Sequence, residues 1–194
     1  MGVDRELDWV EQARRGDEHA FAQLVAAYQL PVYNLAYRML GTSAEAEDAT
    51  HEAFIRVWSK LDTYDPSRKL SSWVLSVASH YCIDRLRRRR GGQVSMEEIA
   101  ASRWLPADDP KPEDRTLTNE RDARVRRLLQ FLQPQYRLVI ILRYWHDKSY
   151  GEIAEITGTT ESAVKSRLHR AREAMAALLA AEEPSPAVSS TDVH

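Results

Sequence analysis

The stretch from Ser149 to Arg172, "SYGEIAEITGTTESAVKSRLHRAR", leaves the chain little freedom in how it folds locally. Ser149 is a hydroxyl suited to opening a helix, and Tyr150, Ile153 and Ala154 recur at the spacing of a short helix with one inward face. Gly158 falls where a tight turn between two crossing helices needs a residue that tolerates positive φ. Thr160 can cap a second helix, in which Val164, Leu168, Ala171 and Met175 return at steps of four, three and four and make a single apolar stripe. Two short helices with one buried seam and a glycine turn predict a helix-turn-helix.

At about 100° per residue, the side of the second helix opposite that stripe carries Ser162, Ser166, His169, Arg170 and Glu173, flanked by Lys165, Arg167 and Arg172. Hydrogen-bonding side chains in the centre with cations around them match a major groove, where base edges meet the centre and phosphates the flanks. A surface helix that merely faces solvent normally mixes acids with bases. Here no acid lies between Lys165 and Arg172, which favours duplex DNA as the partner of this face.

The rest of the chain predicts an all-α protein of two small helical domains joined by a flexible linker: residues 1–90, a linker at 91–115, a helix-turn-helix domain at 116–181, and a disordered tail at 182–194. Asp17 can cap a helix running through "EHAFAQLVAAYQLPVYNLAYRML" to Gly41, with Pro31 kinking or splitting it. Ser43 can cap the next, whose first turn carries Glu45, Glu47 and Asp48 at the positive end of the helix dipole. The turn-rich "DTYDPSRK" follows, and then a long helix from about Ser71 to Arg90 with Trp73, Val77, Tyr81 or Ile83, and Leu86 as its core stripe. Gly91 and Gly92 end it. Helical periodicity returns near Thr116, breaks at Pro134 and resumes in the apolar "QYRLVIILRYWH". The tail is rich in Pro and Ser.

Composition mainly excludes. With 43% hydrophobic residues, seven Gly and eight Pro in 194 residues, the chain suits compact helices. A single cysteine, Cys82, rules out an internal disulfide and thiolate metal clusters. No apolar run is long enough to span a membrane and the acidic start does not resemble a signal peptide, so a cytoplasmic protein without membrane insertion is expected. The net charge of −2 hides a strong asymmetry: five arginines among residues 85–90, a second basic group at Lys165–Arg172, and an acidic excess between Glu97 and Glu120. Aromatic residues ahead of the arginine run, Trp73 and Tyr81 with His80 between, suit unpaired bases that stack on rings while the backbone meets cations. His51-Glu52 is not a zinc-protease motif, because Ile55 stands where a second ligand is required.

Taken together, "AEDATHEAFIRVW", "SSWVLSVASHYCIDRLRRRR" and the helix-turn-helix, in this order and spacing, resemble the extracytoplasmic-function (ECF) group of bacterial sigma factors, from about Phe21 to Met175. The resemblance implies a first module that binds core RNA polymerase and melts the −10 promoter element, and a second that holds the −35 element as duplex. By motif position, Asp48, Glu52 and Ile55 would meet polymerase. The −10 region would fall to the loop 65–72 with Arg68, Lys69 and Ser72, and to His80, Asp84, Arg85, Arg87 and Arg88. Lys165, Ser166, His169 and Arg170 would read the −35 element, with Arg167 and Arg172 on phosphates. An anti-sigma factor is also implied. The family often has Gln where His51 stands and Asn where His80 stands, so the preferred −10 base does not follow from the resemblance.

The mechanism expected is binding and strand capture, without covalent chemistry, cofactor or metal by this chain; no phosphate-cradling glycine loop or nucleophile–base set occurs in the sequence. The competing reading is a helix-turn-helix regulator acting without core polymerase, which leaves the arginine block and the acidic-aromatic helix unused.

Overall fold

The computed structural model describes residues 3–91 and 117–182. Apart from Gly91 in the expected linker, and Glu182 in the expected tail, those two segments lie outside the described residues.

The first half is built from four helices: α1 (Val3–Arg14), α2 (Glu18–Leu40), α3 (Ser43–Ser59) and α4 (Leu70–Gly91), with a short 3-10 turn at Leu61–Thr63. The second half has α5 (Leu117–Phe131), α6 (Pro134–Tyr144), α7 (Tyr150–Thr157) and α8 (Glu161–Glu182). Among the described residues there is no strand, as the pattern predicts.

Local chemistry accounts for most boundaries. The Asp17 carboxylate accepts from the backbone N–H groups of His19 and Ala20, satisfying donors that the first turn of α2 cannot pair internally. Gly41 ends that helix in the left-handed region at φ 102°. Pro31 does not split α2, which runs unbroken through it. Thr42 rather than Ser43 caps α3: its hydroxyl accepts from the Glu45 N–H, and Ser43 is already helical. Pro134 sits at the start of α6, where its missing N–H costs no helical bond.

The sequence reading missed α1 altogether, taking its residues only for their charge. It buries Val10 and Ala13, and Arg14 at its end donates to the carbonyls of Leu61 and Tyr64. In α4 the buried set is broader than the expected stripe: Trp73, Val74, Leu75, Ala78, Cys82 and Leu86 are inside, whereas Val77, Tyr81 and Ile83 are only partly covered.

The halves pack against each other and share one connected apolar core. Arg137 of α6, 3% exposed, donates to the Met39 carbonyl at the end of α2 and to the Gln130 and Leu132 carbonyls at the end of α5. A guanidinium at two helix C-termini meets carbonyls that have no intrahelical donor and the negative ends of two helix dipoles. The Gln130 side chain donates to the Arg38 carbonyl and accepts from Arg137 at 2.7 Å. Along a second line of contact, Ser76 on α4 donates to the Ile156 carbonyl of α7 at 2.9 Å, and Lys148 reaches Ser71 at 3.2 Å. Among the described residues no helix is long and apolar enough to cross a membrane.

Candidate nucleic-acid interface

Ser149 and Glu152 form a reciprocal capping box at the start of α7: the Ser149 hydroxyl accepts from the Glu152 N–H, and the Glu152 carboxylate accepts from the Ser149 N–H. Gly158 closes the helix at φ 62°, ψ 41°, as the turn requires. Thr160 accepts from the Ala163 N–H and starts α8. Val164, Leu168 and Ala171 are fully or almost fully buried, and Met175 packs partly against the same core. Burying a Val or Leu side chain contributes about 1.5–3 kcal/mol each, enough to fix which face of α8 turns outward.

That outward face is open. Lys165, Ser166, His169, Arg170 and Arg172 are exposed, and Arg167 is half-buried. Several side chains are already oriented. The Lys165 ammonium lies 5.9 Å from the Tyr150 ring centre, His169 lies 3.0 Å from Glu173, and Arg170 donates to the Tyr136 hydroxyl, which favours its charged form.

The residues expected at the −10 strand divide. Arg68 and Lys69 do not face open solvent alone: Arg68 is ion-paired with Glu155, and the Lys69 ammonium is 3.0 Å from Glu152. Ser72 is fully buried, so its place in the set is corrected: no strand can reach it in this arrangement. Arg85 lies toward α3, 3.6 Å from Glu45 and 3.8 Å from Asp48, and donates to the Tyr81 hydroxyl at 3.2 Å. His80 is exposed with its Nδ1 2.7 Å from the Ser76 carbonyl, Arg87 and Arg88 are exposed, and Asp84 is 4.0 Å from Arg87. Tyr81, Arg85, Arg88 and Arg89 line a shallow concavity of about 370 Å³.

On α3, Asp48 and Ile55 are exposed and Glu52 pairs with Arg56 at 3.0 Å. Sequence reasoning missed Trp58 on this surface. It is 40% exposed and packs edge-on against Phe21 at 4.7 Å. Its spacing of three from Ile55 was the available signal. Reasoning from sequence gave no role to Glu152 beyond its cap and none to Glu155, because nothing within α7 shows that Lys69 and Arg68 lie opposite them.

Capping sets the electrostatics at Glu152. The Ser149 N–H, the Lys69 ammonium and Lys148 at 3.8 Å hold its carboxyl down to about 2. Burial of His146, with Arg38 and Lys148 nearby, lowers that imidazole to about 4. Among the described residues, no cluster of three or more His, Cys, Asp or Glu is arranged to hold a metal.

A helix-turn-helix with an open cationic face, packed on a helical unit with its own basic surface, defines a two-part DNA-binding protein. Residues 24–91 match the sigma-70 region 2 family and residues 122–175 match sigma-70 region 4. The chain is 37% identical over 172 residues to the ECF RNA polymerase sigma factor SigW of Bacillus subtilis, covering 86% of this chain and 92% of that one. It is 32% identical to the ECF RNA polymerase sigma factor SigE of Mycolicibacterium smegmatis, covering 89% and 72%. The solved structure of CnrH in complex with the cytosolic domain of CnrY matches with a TM-score of 0.67 and 27% identity, over 94% of this chain and 100% of that one. The chain belongs to the ECF group of sigma-70-family RNA polymerase sigma factors, which bind core polymerase and promoter DNA to initiate transcription. That family is not one of enzymes, and the rival of a regulator working without polymerase is set aside.

Proposed function

We propose that the chain divides its work between residues 1–90, which bind core polymerase and capture the −10 strand, and residues 116–181, which anchor the −35 duplex. The observation that carries this is the outward face of α8, where Lys165, Ser166, His169, Arg170 and Arg172 are exposed above a buried apolar stripe. Ser166, His169 and Arg170 stand where base edges would be read, with Arg167 and Arg172 at phosphates. The −10 strand falls to Arg68, Lys69 and Arg85 and to the exposed His80, Arg87 and Arg88, with Asp84 beside Arg87. Polymerase meets Asp48, Glu52 and Ile55, and Trp58 extends that surface.

The work is binding. Unstacking bases costs a few kcal/mol, which stacking at about 1–3 kcal/mol per base and phosphate contacts offset. The chain carries no covalent chemistry of its own and works in the cytoplasm beside polymerase. An anti-sigma factor is the expected regulator; CnrH, similar in fold and 27% identical, is solved with the cytosolic domain of a second protein.

Transcription in vitro with core polymerase on a promoter library tests the whole reading. Promoter-specific initiation is expected with this chain present, and its absence would refute the assignment. Lys165→Ala with Arg170→Ala should weaken −35 recognition while core-polymerase binding persists; loss of polymerase binding instead would contradict the division of labour.

A further inference from the structure

The loop that carries Arg68 and Lys69 into α4 is tied at both ends to Tyr64. That tyrosine is buried, with its ring 5.2 Å from the ring of Trp73 on α4. Its hydroxyl donates to the Arg68 carbonyl at 2.6 Å. Its own carbonyl accepts from the Arg14 guanidinium, whose Nε donates to the Leu61 carbonyl at 3.1 Å. Between the two ties Asp65, Pro66 and Ser67 are exposed, turned by the Ser67 N–H on the Asp65 carboxylate at 2.9 Å. The Lys69 carbonyl then accepts from the Ser72 and Trp73 N–H groups, which starts α4. Main-chain bonds therefore set the direction in which Arg68 and Lys69 leave the surface.

Arg14 reaches this loop from α1, a helix that precedes the residues matching sigma-70 region 2. α1 has its own seat: Val10 and Ala13 are buried, and the Tyr28 hydroxyl bonds to Glu6. Its last turn brings a planar fork to two carbonyls at once, which a single ammonium on a flexible stem does not reproduce. We propose that Arg14 and Tyr64 are positioning residues for −10 capture, fixing the loop so that Arg68 and Lys69 meet the strand in one geometry. This rests on the assignment of Arg68 and Lys69 to that strand. Neither positioning residue is offered to DNA, since Tyr64 is enclosed and Arg14 is turned to the carbonyls. A loop ordered before the strand arrives spares the cost of ordering it on binding. That advantage goes to the bases the fixed geometry fits, so a loosened loop loses discrimination as well as affinity.

The test uses holoenzyme reconstituted from core polymerase and the full chain, on a promoter that the wild-type chain opens. Each −10 position is varied through all the bases, and the rate of opening is read on every template. Tyr64→Phe keeps the ring against Trp73 and removes only the hydroxyl; Arg14→Lys keeps the charge and removes the fork. Each should lower the ratio of opening between preferred and other bases about three- to tenfold, the scale of one hydrogen bond. Affinities for core polymerase and for −35 duplex should stay unchanged. Arg15→Gln removes a neighbouring exposed charge, paired with Glu11 on the same helix, and should move the ratio less than about twofold. A purely structural role would lower opening on every template alike. A ratio left intact by either variant, or lowered equally by Arg15→Gln, therefore overturns the positioning. Arg68→Gln with Lys69→Gln separates the two claims. Retained opening sinks the strand assignment itself; lost opening with an intact ratio in the Arg14 and Tyr64 variants sinks only the positioning.

Discussion

Gly41 and Gln130 meet where α2 ends against α5: a Cβ added to Gly41 would lie 3.2 Å from the Gln130 amide nitrogen. The same glycine holds φ at 102°, a conformation costly to any residue with a Cβ. Gly41→Ala should therefore cost about 1–2 kcal/mol in urea denaturation, from strain and crowding together. Because Gln130→Ala alone loses the bonds to Arg38 and Arg137, the comparison is a double-mutant cycle: in the Gln130→Ala background Gly41→Ala should cost less by the crowding alone, and no remaining cost there would show that the backbone conformation is not the dominant one.

His146 sets an acid limit on stability. Its folded value, about 4, lies below the ordinary 6.5 because burial and the charges of Arg38 and Lys148 oppose protonation. The unfolded chain takes up this proton first, so stability is full above about pH 6.5 and falls as pH drops toward 4, by about 2–3 kcal/mol. The depressed Glu152 acts in a lower window, with stability lost as pH falls from 4.5 toward 2. Chemical denaturation across pH should show the upper window flattened in His146→Gln and unchanged in Glu152→Gln.

The exposed pair Ile55 and Trp58 gives α3 an apolar contact beside the charges of Asp48 and Glu52. Aromatic anchors of this kind dominate interface energetics, at about 2 kcal/mol or more each. Ile55→Ala with Trp58→Ala should weaken core-polymerase binding at least about thirtyfold, the equivalent of 2 kcal/mol, with −35 duplex affinity unchanged. Equal loss of both would mean that the variant unfolds or that the surface is misassigned; a thermal melt distinguishes these.

Much of this was legible from the chain. The stripe of Val164, Leu168 and Ala171 placed α8 correctly because apolar period and burial coincide there. Asp17, Ser149, Gly158 and Thr160 announced their caps and turn through side chains that satisfy nearby backbone groups. What was not legible depended on distant partners. Arg85 reads as one cation in a run of arginines, and nothing in that run shows that α3 brings Glu45 and Asp48 to it. Ser72 reads as polar and available, yet it is wholly enclosed. A one-dimensional pattern reports a residue's own face, not which charged side chain from elsewhere lies opposite. The joining of the halves through Arg137 was invisible for the same reason, since "PQYRLVIILRY" reads as an apolar helix with one incidental arginine.

Arg137→Met should cost about 3 kcal/mol or more in thermal or chemical unfolding, because it strands buried carbonyls as well as removing a charge. Arg137→Lys should recover only part, since a single ammonium cannot reproduce the planar fork.

The acceptors of that guanidinium include the main-chain oxygens of Met39, Gln130 and Leu132. Substitution at any of those three positions leaves its carbonyl in place, so sequence drift around the joint cannot delete these acceptors one by one. The inheritance of this joint therefore depends heavily on a single codon: related chains can vary the residues that receive the arginine far more freely than the arginine itself.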